Sequence, residues 1–363
     1  MKKLMVVVGT RPNFIKVTRF KQVAASRGTI QVDIVHTGQH FEHNMAGAFF
    51  EQFSLVPDHF LEVGAGTPTG QIAAIMERLE PVVIREKPSM VMVVGDVNST
   101  MAAAITVSKV HVPLAHLESG LRSFDRSMPE EFNRIVADRL SSHHFITEQS
   151  GIDNLLREGI SKECMHFVGN TMIDTLVAFE PRVQASDVLD RYHLGSGGHV
   201  LMTIHRPATV DVHERLEELM ELIEGIARTR KVVFPIHPRT VKNLENFGLM
   251  PRAKAIAGLV LTEPLDYFAF QKLIATSAFI LTDSGGIQEE TTYRRVPCLT
   301  LRPNTERPVT ITLGSNELVP LELDKVREAI GRIERGEFKK GDVPPLWDGH
   351  ATERIFDVLE RVL

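Results

Sequence analysis

The segment Asp283-Ser284-Gly285-Gly286-Ile287-Gln288-Glu289-Glu290 follows the apolar run Ala278-Phe279-Ile280-Leu281, and together they read as a strand delivering two glycines into a helix start. Such a start suits a phosphate, because its first N–H groups lack intrahelical partners and carry the positive end of the helix dipole. Gly285 and Gly286 let an anion approach the backbone, and Glu290, one turn in, has the reach for a ribose hydroxyl. The same residues would equally serve as an ordinary helix cap by Ser284, so the rest of the chain must decide between the two.

Other strand ends carry matching chemistry. Met5-Val6-Val7-Val8 runs into Gly9-Thr10-Arg11-Pro12-Asn13-Phe14-Ile15-Lys16, placing Arg11 and Lys16 at a helix start, where basic residues oppose the dipole unless an anion compensates. Met90 to Val94 ends in Gly95-Asp96, Pro113 to Leu117 ends in Glu118, and Glu130-Glu131 opens a helix after Pro129. Acid at a helix start is commonplace capping. Three acids at one sheet edge, Asp96, Glu118 and Glu130, are expected to raise one another's pKa, so that one stays protonated as an acid while another acts as base. In the second half, Val200 to Ile204 ends at His205-Arg206 and Lys231 to Ile236 ends at His237. Imidazoles there suit either a structural hydrogen bond or a departing phosphate oxygen, with His205 the stronger candidate. Arg302 and Arg307 follow the strand after the Ser-Gly-Gly turn and suit a diphosphate.

The elements that must position these residues follow a βαβ rhythm. Strands are expected at Met5 to Val8, Gln31 to His36, Met90 to Val94, Val112 to Leu117, His144 to Thr147 and His166 to Val168. Helices are expected at Phe14 to Ala25, Gln71 to Glu86, Thr100 to Lys109, Glu130 to Leu140 and Gly151 to Glu158. After the polar stretch Leu189 to Gly198 the rhythm restarts, with strands at Val200 to Ile204, Lys231 to Ile236, Gly258 to Leu261, Phe279 to Thr282 and Pro297 to Leu301. Helices over Asp324 to Gly336 and Ala351 to Leu363 complete it. The fold class is therefore α/β: two Rossmann-like, doubly wound parallel-sheet domains facing a central cleft, with ligands outside the carboxyl ends of the strands. At 363 residues the chain exceeds what one core supports, which also favours two domains.

Composition removes several function classes. No apolar run approaches the length needed to span a bilayer, and Met1 to Leu4 leads straight into a strand rather than a signal peptide, so a cytoplasmic protein is expected. A net charge of −5 without a basic block argues against a nucleic-acid partner. The two cysteines, Cys164 and Cys298, have no metal or disulfide spacing and read as buried core residues. The 15 histidines form no pair at zinc-ligand spacing on a helix, so no metal site and no cofactor are expected. Gly64 to Gly70 only superficially resembles a dinucleotide fingerprint, because Pro68 interrupts it.

Gly9-Thr10-Arg11-Pro12 with Lys16, Thr37-Gly38-Gln39-His40, Gly95-Asp96, His116 to Arg122, Pro129 to Arg134, His205-Arg206, Asp283 to Glu290 and Thr305-Glu306-Arg307-Pro308 together resemble the non-hydrolysing UDP-N-acetylglucosamine 2-epimerases across nearly the whole chain. The resemblance implies a glycosyltransferase-B-like architecture, with residues 1–171 as one domain, 172–349 as the UDP-binding domain, and a final helix, 350–363, packing back on the first. It also implies a homodimer and interconversion of UDP-GlcNAc and UDP-ManNAc. The family's catalytic positions fall on Asp96, Glu118, Glu130 and His205, and its first-loop lysine on Lys16. UDP and sugar contacts fall on Arg11, His205, Phe270, Ser284, Gly285, Gly286, Glu290 and Arg307.

Departures are Asn13 for a common Glu, Pro207-Ala208-Thr209-Val210 after His205-Arg206, and Val309 after Pro308. They leave catalysis intact and bear on the second, regulatory UDP-GlcNAc site of bacterial members, a region that includes Gln39 to Glu42. Arg122-Ser123-Phe124-Asp125 and Met128-Pro129 also resemble the branch acting on UDP-2,3-diacetamido-2,3-dideoxyglucuronate. A UDP-sugar glycosyltransferase or a non-enzymatic sugar-nucleotide sensor would share the nucleotide site, but three acids exceed the needs of either.

Overall fold

The computed structural model describes residues 1–38, 50 and 52–363. It divides into two compact units, Met1–Ala178 with Pro345–Leu363, and Phe179–Pro344. Gln39, His40, Phe41 and Glu42 lie outside the described residues.

In the first unit, β1 (Lys2–Val8), β2 (Ile30–His36), β3 (His59–Phe60), β4 (Met90–Val94), β5 (Leu114–Leu117), β6 (His143–Ile146) and β7 (Met165–Phe167) form one sheet in the order β3-β2-β1-β4-β5-β6-β7. All its pairings are parallel. In the second, β8 (His199–Thr203), β9 (Lys231–Pro235), β10 (Leu259–Thr262), β11 (Ser277–Thr282), β12 (Cys298–Thr300) and β13 (Asn316–Leu318) are ordered β10-β9-β8-β11-β12-β13, again parallel. Both orders place the first strand beside the fourth. There the winding reverses, the point at which ligands bind in such sheets.

Burial on both faces explains the apolar runs. In the second unit Val200, Met202, Phe234, Phe279 and Leu281 join one core with the helix His213–Ala227. The intervening Leu201, Val233 and Ile280 join another, with Leu273 and Ile274 of the helix Tyr267–Ala275. In the first unit, Met5, Val7, Val91 and Val93 pack on Ile75, Leu79 and Val83 of the helix Pro68–Glu86 and on Ala103 and Val107 of the helix Asn98–Lys109. Parallel sheets covered on both faces need such near-continuous hydrophobic strands.

Several expected elements change. The helix expected over Phe14 to Ala25 is two, Arg11–Ile15 and Phe20–Arg27. The Thr175 hydroxyl takes the Ile15 carbonyl, and the Lys16 side chain turns inward to Glu118, so the first helix stops. The edge strands β3 and β13 were not expected, being two and three residues long and partly polar. Cys298 is buried, its thiol pushed up to about 11 by burial, but Cys164 is half-buried in a turn just before β7, contrary to the core role expected of it. Gly64 to Gly70 belongs to a helix start, where the Thr67 hydroxyl accepts the Gly70 N–H at 3.2 Å.

The last helix, Ala351–Val362, closes the first unit. Buried Asp174 accepts its Ala351 N–H at 3.0 Å and its Thr352 N–H and hydroxyl at 2.6 Å each. Phe356 packs edge-on against Phe20, and just upstream Trp347 donates to the Thr147 carbonyl at 2.9 Å. Asp174→Ala would strand those helix-start donors, and an unsatisfied buried group costs about 1–3 kcal/mol; urea unfolding should show a loss of that size.

Two imidazoles couple this unit to pH. His36, buried among Phe14, Phe50 and Phe60, and His166, half-buried and stacked on His143, are each lowered by burial from 6.5 to about 4, with the neighbouring His143 adding for His166. Between those values the unfolded chain takes up protons that the folded chain refuses, so their stabilisation is whole above about pH 6.5 and is lost as pH falls to about 4. Melting curves should show this acid loss reduced in His36→Asn and His166→Asn.

Candidate active site

The reversal between β1 and β4 gathers the first group of candidates. Asn13, buried in the helix Arg11–Ile15 just after β1, accepts from the Gly9 and Thr10 N–H groups at 3.2 Å and donates to the Val94 carbonyl at 3.1 Å. It thereby ties the helix start to the end of β4, a donation that a glutamate carboxylate could not make. Lys16 turns inward and forms a buried ion pair with Glu118. Both side chains crowd Gly95: a Cβ there would lie 3.2 Å from Glu118 Oε2 and Asn13 Nδ2 and 3.4 Å from Lys16 Nζ. Gly95 also has φ +64°, which a side chain would strain. Arg11 opens the first helix and is exposed.

Asp96 follows directly. Its carboxylate pairs with Arg134 at 2.5 Å, and its carbonyl accepts from Asn133 Nδ2 at 2.8 Å. Both partners come from the helix Pro129–Leu140, whose first turn carries half-buried Glu130. The Glu130-Glu131 pair divides. Glu131 is buried and committed, accepting the Ser123 N–H and hydroxyl and the Phe124 N–H, each at 2.9 Å, and pairing with Arg134 at 2.7 Å. Burial works against its ionisation, but these donors and Arg134 hold the carboxyl below its ordinary range. Two of the three acids thus have a local cation, Glu118 in Lys16 and Asp96 in Arg134. Arg134 and Asn133 hold Asp96 in place, a contact that sequence reasoning left without a role. Their spacing from Glu130 along one helix was the available signal.

Asp33, His59 and Glu86 bring ligand atoms within 4.8 Å of one another, but Lys3 already stands 3.2 Å from Asp33 and 3.0 Å from Glu86. The cation of that cluster is an ammonium.

In the second unit the reversal lies between β8 and β11. Asp283, buried at the end of β11, accepts the His205 N–H at 2.9 Å and the Arg206 N–H at 2.7 Å, and its other oxygen lies 2.9 Å from His205 Nδ1. Burial opposes the charge on Asp283, yet the His205 contact and the two N–H groups hold its pKa below the ordinary value. The part-exposed His205 ring thus has Nδ1 fixed and Nε2 directed away from Asp283. His237, after β9, stacks 5.6 Å from His205 and is lowered by burial and then by that neighbour.

The helix Gly285–Arg294 starts immediately beyond Asp283. Ser284 occupies its cap position without a side-chain cap bond, so the ordinary capping role weighed against phosphate binding is not the one its hydroxyl plays. Arg307 is buried between Glu289 at 2.9 Å and Glu306 at 3.6 Å, and Arg302 pairs with Glu306 at 3.1 Å. The arginines are thus held by carboxylates in the structure. Gly285 is required by Glu306, whose Oε1 would lie 2.6 Å from an added Cβ. Gly286 and Glu290 follow on the same helix, Glu290 buried. Phe270 is half-buried on the helix Tyr267–Ala275, whose start Asp266 caps through the Phe268 and Ala269 N–H groups.

A sequence model of the family described as UDP-N-acetylglucosamine 2-epimerase matches residues 22–360. The chain is 38% identical over 363 residues to a UDP-N-acetylglucosamine 2-epimerase of Methanocaldococcus jannaschii, covering 98% of each. It is 36% identical to a UDP-2,3-diacetamido-2,3-dideoxy-D-glucuronate 2-epimerase of Pseudomonas aeruginosa, covering 99% of this chain and 100% of that one. Among solved structures, that of the M. jannaschii UDP-GlcNAc 2-epimerase in complex with UDP-GlcNAc and UDP superposes with a TM-score of 0.91 at 37% identity, covering 99% of each chain. That of the Neisseria meningitidis enzyme bound to UDP-GlcNAc superposes at 0.90 and 28% identity, covering 99% of this chain and 100% of that one. The two Rossmann-like sheets are those of this glycosyltransferase-B-like class.

Gly95→Ala should separate Lys16 from Glu118. A crystal structure should show the pair opened, and melting should reveal a loss of about 1–3 kcal/mol, the usual cost of forcing a side chain into that backbone region.

Proposed function

The chain belongs to the UDP-N-acetylglucosamine 2-epimerase family of isomerases, and on that premise we propose that it interconverts UDP-GlcNAc and UDP-ManNAc through elimination and re-addition of UDP. The observation that carries this reading is the Lys16–Glu118 pair seated over Gly95 beside Asp96 and Arg134, at the reversal of a parallel sheet. Carboxylates there already have their cations, so a neutral hexose meets charges that need no rearrangement.

The C2 hydrogen of an N-acetylhexosamine has no adjacent carbonyl, which makes direct deprotonation prohibitively slow. Elimination avoids that barrier. A carboxylate removes the C2 proton, its electron pair forms the C1–C2 double bond, and the C1–O bond breaks to release UDP and a 2-acetamidoglucal. Re-addition delivers a proton to the opposite face of C2 and restores the bond to UDP. Positive charge develops on the ring and negative charge on the diphosphate.

Asp96 and Glu130 exchange the C2 proton, while Glu118, held by Lys16, presents a fixed negative charge to the ring. UDP is taken by the second unit: its diphosphate by the helix start at Ser284, Gly285 and Gly286 with Arg307, the ribose by Glu290, and the base beside Phe270. The family resemblance adds Arg11 as a further cation for the diphosphate. His205, oriented by Asp283, presents Nε2 to the departing oxygen. Supporting the reading are the full-length relatives and the solved structures with UDP-GlcNAc bound.

A second reading has UDP-2,3-diacetamido-2,3-dideoxyglucuronate as substrate, as named for the P. aeruginosa relative. Here the Arg122-Ser123 segment that resembles that branch is committed to Glu158, Asp138 and Glu131 rather than open to a ligand.

Proton NMR with UDP-GlcNAc alone in heavy water should show inversion at C2 with deuterium incorporated there. Product without deuterium would exclude the elimination route, and turnover of the diacetamido uronate alone would move the assignment to the second reading. Asp96→Asn, Glu118→Gln and Glu130→Gln should each lower kcat by about 100-fold or more.

A further inference from the structure

Beneath Glu118 lies a carboxylate with 1% exposure, Asp138, on the helix Pro129–Leu140. His116 Nδ1 approaches it at 2.6 Å, Arg122 Nη1 at 2.7 Å and the Gly120 N–H at 3.2 Å, and the Ser119 hydroxyl also donates to it. His116 is itself buried, and its Nε2 meets the Gly95 carbonyl at 2.8 Å. The ring thus bridges the Asp138 carboxylate and the Gly95 carbonyl. Burial opposes the charge on Asp138, but His116, His144 and Arg122 hold its carboxyl well below the ordinary range.

These partners bracket one residue. Glu118 stands between His116 and Ser119 with φ +74°, a backbone region that side chains rarely enter. Its own N–H and that of Ser119 both donate to the Phe145 carbonyl, at 3.0 and 3.1 Å. Gly120, at φ +84°, packs so tightly on Gly151 that a Cβ would lie 2.4 Å from the Gly151 carbonyl oxygen. A conformation of this kind persists only where its surroundings over-determine it.

We propose that Asp138 is the positioning residue of the active site. By binding His116, Ser119, Gly120 and Arg122 it clamps the backbone on both sides of Glu118, and through His116 it holds the Gly95 carbonyl that precedes Asp96. One buried charge thereby sets where two acids stand. The proposal rests on the reading that Asp96 and Glu118 act on the substrate; Asp138 itself reaches no reacting atom.

Asp138→Asn keeps the shape but turns one acceptor into a donor facing donors. Its kcat for UDP-GlcNAc epimerisation should fall by about 100-fold, the effect expected of displacing a catalytic group by about 1 Å. KM, and the Kd for UDP measured by calorimetry, should stay within about 3-fold, since binding by the second unit is untouched. Ser119→Ala removes one ligand of the same carboxylate and should lower kcat by about 10-fold with the same indifference of UDP affinity. It also decides the matter if Asp138→Asn does not fold. Wild-type kcat in these variants, beside an inactive Glu118→Gln, would overturn the positioning role, as would parallel loss of kcat and UDP affinity. An active Glu118→Gln would instead remove the catalytic reading of Glu118, a result read independently of the Asp138 variants.

Discussion

The reversal of winding in each parallel sheet is the constraint on which the rest depends. A parallel strand cannot hairpin back; each must return through a crossover that lies over one face. When the chain fills one side of its first strand and then the other, the crossovers on either side cover opposite faces, and the two loops leaving β1 and β4 diverge. The same holds for β8 and β11. Loops that diverge leave room beside backbone ends that are otherwise rigidly hydrogen-bonded. Of the residues at those positions, Asp96, His205 and Gly285 are part-exposed, while Lys16, Gly95 and Asp283 are buried beside them on a fixed base.

What occupies each crevice differs in kind. In the first unit acids are matched one by one with cations, Glu118 with Lys16 and Asp96 with Arg134, and Gly95 is small so that the first pair can close over it. In the second, a helix starts at Ser284 without a side-chain cap, while the nearby arginines are held by Glu289 and Glu306. Under the proposed function, a diphosphate there would exchange one set of anionic partners for another, which limits the desolvation that binding must offset.

Much of this was legible in the chain. Strand runs at Met90 to Val94 and Phe279 to Thr282 stand out because burial on both faces demands unbroken apolar sequence, and the glycines and acids that follow them mark the ends. The family resemblance drawn from those motifs agrees with the full-length matches. What was not legible depends on contacts distant in sequence. The break after Ile15 comes from Thr175, 160 residues away. Glu131 looks interchangeable with Glu130 until Ser123 and Phe124 fold onto it. Asp138 sits on a helix face with no local sign that four groups around Glu118 converge on it. Edge strands as short as β3 and β13 carry too little pattern to separate from loop.

The closing helix has a further consequence. Because Ala351–Val362 is capped by Asp174 and packs on Phe20, the first unit is assembled from two separate stretches of chain, with the whole of Phe179–Pro344 inserted between them. During synthesis the first sheet emerges early but its last covering element arrives only after the second unit has left the ribosome. The inserted unit must therefore fold while its host is still partly uncovered.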